Sequence, residues 1–379
     1  MSKEVSKVSV LEQRHTVSQW QSVGKYLSVL GAIIVFMLSI NLLSYSFQGL
    51  REEIASLILS VTMNPFIGLF IGLLLTAVIQ SSSISTSMVV ALVGSGTISL
   101  SAAVPLIMGA NVGTTLTSTI ISLSFITHRR AFRKAISAGV VHDIYNIMLV
   151  ILLFPLEYYY QGLSRTSIWL VNTLGIADPE ATSELVYLGS FSANGIDESF
   201  VNVVGSHWLV LVLACSMLFF SIKYISNVIS KSLIGESKDK LKKYIFTNPY
   251  KSFLWGGGLT AAVQSSSITT SLIIPLVATN KVSLAKSFPF IIGANIGTTI
   301  TALIASFFAT EVAVSIAIVH LLFNSLGVLL FLPIASIRRI PIGVAALFGR
   351  LTLRHRLYGF LYIVLMFFII PFLLIYFNQ

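Results

Sequence analysis

The sequence predicts an all-α polytopic membrane protein made of two inverted-topology repeats with broken or re-entrant helices. Three observations lead there. Long apolar runs are almost free of charge, basic residues cluster in some of the intervening loops, and a set of polar blocks occurs twice in the same order. Of the 379 residues, 55% are hydrophobic and 10% are charged, and the mean hydropathy is +0.89. A soluble domain has about a quarter of its residues charged, because water must solvate its surface. This chain has too few charges for a soluble surface.

A membrane helix needs about 20 mostly apolar residues to cross the hydrocarbon. Apolar segments fall at roughly 25–47, 54–79, 84–93, 99–126, 135–155, 206–222, 252–263, 268–279, 285–309, 312–334, 341–349 and 357–377. The run from Gly24 to Phe47 carries only Lys25, and that from Leu357 to Phe377 carries no charge. The pieces at 84–93, 268–279 and 341–349 are too short to span alone and read as half-helices, hairpin arms or surface segments. Several longer runs qualify only if Ser, Thr and Asn are tolerated inside them, which points to a polar interior. Met1 to Gln21 is polar and lacks the apolar core and cleavage site of a signal peptide. The first apolar run is therefore expected to stay in the protein as a spanning helix.

The net charge of +10 is gathered in short clusters between apolar runs. This is the positive-inside pattern rather than a nucleic-acid stripe. Lys3, Lys7, Arg14 and Lys25 place the N-terminus inside, as His128, Arg129, Arg130, Arg133 and Lys134 do for a second loop. The stretch from Glu157 to Asn202 sets Glu157, Asp178, Glu180, Glu184, Asp197 and Glu198 against Arg165 alone, and reads as outside. Lys223 to Lys251 is lysine-rich and reads as inside, as do Arg338, Arg339, Arg350, Arg354 and Arg356. The division expected is 1–56 for the N-terminus and first helix, 57–155 for repeat 1 and 156–205 for an outer loop. A linking helix at 206–222, a basic inner linker at 223–248, repeat 2 at 249–334 and C-terminal membrane segments at 335–379 follow. Cys215 is the only cysteine, so there is no intrachain disulfide and no cysteine metal set.

The repeat is the strongest signal. GLLLTAVIQSSSISTS from Gly72 matches GGLTAAVQSSSITTS from Gly257. An offset of 184 pairs Thr76 with Thr260, Gln80 with Gln264 and Asn111 with Asn295. The asparagines lie in MGANVGTTLTS and IGANIGTTITA. At an offset of 178, His142 and Asn146 match His320 and Asn324. The first repeat runs from its Asn111 block into the basic cluster at 128–134, whereas the second runs into Ala309-Thr310-Glu311, which has no basic residue. One extra crossing at 206–222 would invert the second repeat, a common plan for secondary transporters.

Gln80-Ser81-Ser82-Ser83 and Gln264-Ser265-Ser266-Ser267 each interrupt an apolar run. Four consecutive polar side chains point all round a helix, and serine competes for backbone hydrogen bonds. A break in the membrane is tolerated only where it faces protein or a watery cavity. It frees N–H groups at the start of the next half-helix, where the dipole favours an anion. Hydroxyl, amide and backbone carbonyl oxygens there can instead coordinate a hard cation such as sodium. Two such breaks face to face can enclose an anion with its coupling cations. The Gly-Ala-Asn-x-Gly-Thr-Thr blocks are open to two readings, direct contact with substrate or ion and close packing that supports the site. Asp143 lies within an apolar run and has Leu321 as its counterpart. A carboxylate there is a functional candidate, for asymmetry or ion coupling, or a group that pairs with a polar neighbour to fix helices. No nucleotide-binding G-x-x-x-x-G-K-[ST], CxxC or HExxH pattern occurs, which argues against ATP-driven transport by this chain.

The paired QSSS blocks, the paired GAN-[IV]-GTT blocks and the His-x-x-x-Asn pairs resemble the type II sodium-dependent phosphate cotransporter family, over roughly 57–155 and 249–334. The resemblance implies that the QSSS regions form the substrate and sodium site between inverted repeats. Carried over residue by residue, it implies a phosphate site at Gln80, Ser81, Ser82, Ser83, Gln264, Ser265, Ser266 and Ser267. The sodium candidates are Gln80, Ser83, Thr86, Asn111, Thr114, Gln264, Ser267, Thr270, Asn295 and Thr298. Supporting polar groups are Thr76, Thr260, His142, Asp143, Asn146, His320 and Asn324. The outer loop has no cysteine, so it cannot hold the disulfide of animal relatives. The chain reads as a short prokaryotic form, expected in a bacterial inner membrane. The expected function is sodium-driven symport of inorganic phosphate, with no cofactor beyond sodium and no enzymatic role. Alternatives are transport of another small oxyanion, and a non-transporting channel or scaffold.

Overall fold

Asn64-Pro65 and Asn248-Pro249, 184 residues apart, start equivalent helices in the same way. Asn64 accepts from the Phe66 amide at 3.0 Å and Asn248 from the Lys251 amide at 2.7 Å, each with proline as the first helical residue. Such a cap satisfies one amide of the open first turn, and proline there forfeits no bond. The structure is a computed structural model that describes residues 2–175, 203–234, 245–307 and 311–378. Asp178, Glu180, Glu184, Asp197 and Glu198 of the expected outer loop lie outside the described residues, as do Ala309 and Thr310. So do Lys238, Lys240, Lys242 and Lys243 of the basic linker, and the side chains of Lys3, Lys7, Arg14, Lys25, Lys231 and Glu311.

The described residues form helices throughout. These are α1 (Ser2–Gly49), α2 (Ala55–Met63), α3 (Pro65–Ile79), α4 (Ser82–Gly94), α5 (Leu100–Gly113), α6 (Leu116–Leu123), α7 (Arg129–Tyr160) and α8 (Gly162–Thr173). Further along the chain come α9 (His207–Ile234), α10 (Pro249–Val263), α11 (Ser266–Ser271), α12 (Ile273–Ala278), α13 (Leu284–Phe307), α14 (Glu311–Phe331) and α15 (Ala335–Leu351). The last span joins α16 (Leu357–Val364) to α17 (Ile370–Asn378) through a π-helical turn. Seven helices among the described residues are long and apolar enough to cross a membrane. The pair α2–α3, bent by 116° at Asn64, is a broken span or re-entrant loop. This is an all-α, multi-pass membrane protein.

The two repeats pack alike because their glycines match. α3 lies against α5 and α10 against α13. A Cβ on Gly72 would strike the Leu106 carbonyl, one on Gly109 the Leu69 carbonyl, and one on Gly113 the Leu73 carbonyl. At the equivalent positions Gly256 meets Phe290, Gly293 meets Phe253 and Gly297 meets Gly257, carbonyl for carbonyl. Small residues let membrane helices touch backbone to backbone. The repeats differ where the second carries Pro275 in place of Ala91. Proline has no amide to bond Ser271, so the segment matching α4 divides into α11 and α12 at Leu272.

Two segments are more regular than the sequence indicated: the start of the stretch expected as a loop from 156 to 205 is helical, and the short piece at 341–349 belongs to one longer helix. Residues 156–160 complete α7, and α8 follows a left-handed Gln161. Glu157 is buried and accepts from the amides of Leu163 and Ser164 at 2.8 and 3.2 Å, and from the Ser164 hydroxyl. The carboxylate thereby caps α8. The piece at 341–349 lies within α15, whose Ile340, Val344, Leu347 and Leu351 are exposed in a stripe. Its Pro341, Ala345 and Gly349 are buried on the side that packs against α7.

Candidate functional site: two helix breaks in contact

Gln80 ends α3 and Gln264 ends α10, both in the left-handed conformation, with φ of 57° and 55°. Their amides return to the Thr76 and Thr260 carbonyls at 2.7 and 2.6 Å. The next residues, Ser81 and Ser265, are extended and cap α4 and α11 through the amides of Ile84 and Ile268 at 3.4 and 3.3 Å. The chain thus stops one helix and starts another within two residues. The left-handed form is strained for a residue with a Cβ, by roughly 1–2 kcal/mol, and persists only where its surroundings enforce it. The first amides of α4 and α11, at Ser82, Ser83, Ser266 and Ser267, have no acceptor within their own helices.

The breaks touch. Ser83 Oγ donates to the Gln264 carbonyl at 3.0 Å and lies 3.4 Å from Thr301 Oγ1. Ser118 of α6 meets Thr270 of α11 at 3.0 Å. The hydroxyls of Ser82, Ser266 and Ser267 make no hydrogen bond among the described residues, and the buried hydroxyls of Thr76 and Thr260 have no partner either. Two N-terminal helix ends, their free amides and unengaged hydroxyls therefore share one locality. The two halves are unequal there, since Gln80 is exposed, Gln264 half-buried and Ser83 buried, while Ser267 is half-buried. Thr86, Thr114 and Thr298 spend their protons on the carbonyls of Ser82, Ala110 and Ala294, which leaves oxygen lone pairs but no donor. Thr270 likewise donates to the Ser266 carbonyl.

The Asn111 and Asn295 blocks form a second constellation. Asn295 Oδ1 sits 2.6 Å from His142 Nε2, and its Nδ2 donates to Asn146 Oδ1 at 2.8 Å. Asn111 Oδ1 accepts from His320 Nε2 at 3.3 Å and Asn324 Nδ2 at 3.2 Å. Asn146 also donates to the Asn111 backbone carbonyl at 2.7 Å. An amide oxygen only accepts, so these assignments place the proton of both histidines on Nε2. Each repeat supplies the histidine–asparagine pair that holds the other's asparagine, which is the exchange expected across a two-fold relation. All six side chains are buried, and among the described residues no hydrogen bond joins Asn111 or Asn295 to the QSSS blocks.

Asp143 is fully buried and its Oδ2 accepts from Thr119 Oγ1 at 3.0 Å, while its Oδ1 has no hydrogen-bond partner among the described residues. Ser118, Thr119 and Thr301 were not singled out from the sequence. Thr301 pairs with Thr117 at the offset of 184, which was a usable signal. Ser118 pairs with Ala302, so the repeat gave no cue for it.

The sequence model of the family described as Na+/Pi-cotransporter matches residues 35–160 and 217–354, both repeats and most of the chain. The chain belongs to the Na+/Pi-cotransporter family. Among similar proteins, the sodium-dependent phosphate transport protein 2B of Homo sapiens is 28% identical over 93% of this chain and 65% of its own length. The 2A proteins of Rattus norvegicus and Oryctolagus cuniculus are 29% and 30% identical, over 90% and 89% of this chain and 66% and 65% of their lengths. The chain spans slightly under two thirds of these relatives. No solved structure matches it. The matched regions of this Na+/Pi-cotransporter family member contain both breaks and both histidine–asparagine pairs.

Proposed function

We propose that the protein is a secondary active transporter that couples sodium to the entry of inorganic phosphate into the cell. The observation that carries the reading is the contact of the two helix breaks, Ser83 Oγ on the Gln264 carbonyl at 3.0 Å. It sets two positive helix ends and two clusters of oxygen ligands in one place. The amides of Ser82, Ser83, Ser266 and Ser267 and the neighbouring hydroxyls suit a tetrahedral oxyanion. The carbonyls of Gln80 and Gln264, with oxygens of Ser83, Thr86, Ser267 and Thr270, suit sodium. Thr114 and Thr298 are weaker sodium candidates, since they lie in the asparagine blocks rather than at the breaks. Asn111 and Asn295 are better read as positioning groups, because their side chains are engaged across the repeats. Bound sodium offsets the anion's charge, so each strengthens the other, and linkage makes the effect reciprocal.

Family membership and the names of the relatives support sodium and phosphate as the pair. The charge pattern supports an N-terminus inside and repeats of opposite orientation about α9, and the lysine-rich linker after α9 is in keeping with a bacterial inner membrane as the location. Asp143 gives the first repeat a buried carboxylate where the second has Leu321, a fit for unequal ion coupling or for fixing α6 against α7. The test is uptake of labelled phosphate into proteoliposomes under an inward sodium gradient, with a potassium gradient as control. Equal uptake under both gradients would end the sodium reading. Stronger competition by sulfate than by unlabelled phosphate would transfer the site to another oxyanion.

A further inference from the structure

A cavity of about 390 Å³ opens at the basic end of α7, away from both helix breaks in sequence. Arg133 and Lys134 of α7 and Arg350 of α15 line it together with Asn280 and Ser283, which precede α13. Three cationic side chains thus meet at one concavity, drawn from the first repeat and the C-terminal segment, against a wall from the second repeat. No carboxylate is among its lining residues. Glu53 is occupied with Trp208, Glu157 with α8 and Asp143 with Thr119. Like charges held together repel, and the group that relieves them is an anion.

The packing shows how the convergence is built. Gly349 lets α15 close on α7, where a Cβ would meet the Arg133 carbonyl and Ser137 Oγ, and so it brings Arg350 beside Arg133. Lys134 Nζ donates to Asn280 Oδ1 at 2.5 Å, and Asn280 is held left-handed at a φ of 61°. That bond fixes one ammonium over the cavity instead of leaving it free in solvent. Val282, Ser283 and Leu284 bring the first turn of α13, a helix of 24 residues, to the rim, and its open amides add to the positive field.

We propose that this cavity binds a phosphate-bearing anion, supplied either as free inorganic phosphate or as the headgroup of an anionic phospholipid. Guanidinium pairs suit phosphate oxygens because they bond them in a fork, while an ammonium adds a point charge. The exposed apolar stripe of α15, with Leu347 and Leu351 flanking Arg350, offers a path for acyl chains. The proposal does not rest on the transport reading, since a bound anion here requires no turnover.

The experiment places a reporter at the rim, Ser283→Cys in a Cys215→Ser background, in full-length protein in nanodiscs. Maleimide labelling is timed with inorganic phosphate against chloride at equal ionic strength, and in phosphatidylglycerol against phosphatidylcholine. Slowing by phosphate alone identifies a free-phosphate site, and slowing by phosphatidylglycerol alone a headgroup site. Adding Arg133→Gln and Arg350→Gln should weaken the protecting anion about tenfold or more. Lys134→Gln, a single change on a half-exposed side chain, should weaken it in the same direction. Unchanged labelling with every anion, or protection that survives all three substitutions, would overturn the proposal. Failed phosphate uptake with protection intact would count against the transport reading alone.

Discussion

His142 Nε2 lies 2.6 Å from the side-chain oxygen of Asn295, so a histidine of the first repeat grips an asparagine of the second. His320 returns the contact to Asn111 at 3.3 Å. Both bonds of the Asn295 arm, at 2.6 and 2.8 Å, are shorter than the 3.3 and 3.2 Å of the Asn111 arm, so the two arms of the lock are expected to differ in strength.

Truncating His142 leaves a buried amide oxygen without its donor, which costs about 1–3 kcal/mol. His142→Ala should therefore lower the thermal midpoint of the purified protein more than His320→Ala does. A cycle of His142→Ala and Asn295→Ala should show coupling of about 0.5–3 kcal/mol. Strict additivity in that cycle would show that the contact carries no energy.

Gln80 and Gln264 have side chains at the breaks and left-handed backbones. Removing either amide should cut phosphate affinity roughly ten- to hundred-fold, the loss of a bond to a charged group worth about 1.5–3 kcal/mol. Gln80→Gly should fold at least as well as Gln80→Ala, since glycine tolerates positive φ. Uptake normalised to folded protein in the membrane is the measurement. Near-normal values for both Gln→Ala variants would remove these residues from the site.

The matched glycines offer a stability test with an internal control. Gly109→Ala and Gly293→Ala push a methyl into the backbone carbonyls of Leu69 and Phe253. Overpacking of this kind costs about 1–3 kcal/mol or more. Gly258 has nothing within 4 Å of its would-be Cβ, so Gly258→Ala should be neutral or gain up to about 1 kcal/mol in helix propensity. The monodisperse fraction after detergent extraction, with thermal midpoints, reads all three. A Gly109→Ala protein as stable as Gly258→Ala would contradict the close approach.

Opposite orientation of the repeats predicts opposite accessibility of the segments on either side of α9. Single cysteines at Ser192 and Ser237, in a Cys215→Ser background, should react with an impermeant maleimide from opposite faces of the membrane. Reaction from one face only would reject the inverted arrangement.

The sequence alone determined the helical, membrane-embedded class and the repeat. Both are written in local pattern: apolar runs of spanning length, and blocks in register at a fixed offset. The breaks at Gln80 and Gln264 were also legible, because polar side chains in a row cannot stay on one helix face, and serine invites a cap. Tertiary structure decided what each block touches. The offset pairs Asn111 with Asn295, yet the two do not bond each other; each is held by the histidine and asparagine of the opposite repeat. That crossing depends on how the two halves fold together, and a repeat detected along the chain carries no information about the relation between its copies in space. The same holds for Ser83, which matches Ser267 in sequence but alone reaches across to the other break. It holds too for Arg133 and Arg350, far apart in the chain and brought to one cavity because Gly349 lets two helices meet. Hydrogen bonds and close packing act over a few ångströms, so partners remote in sequence are fixed only when the fold has set those distances.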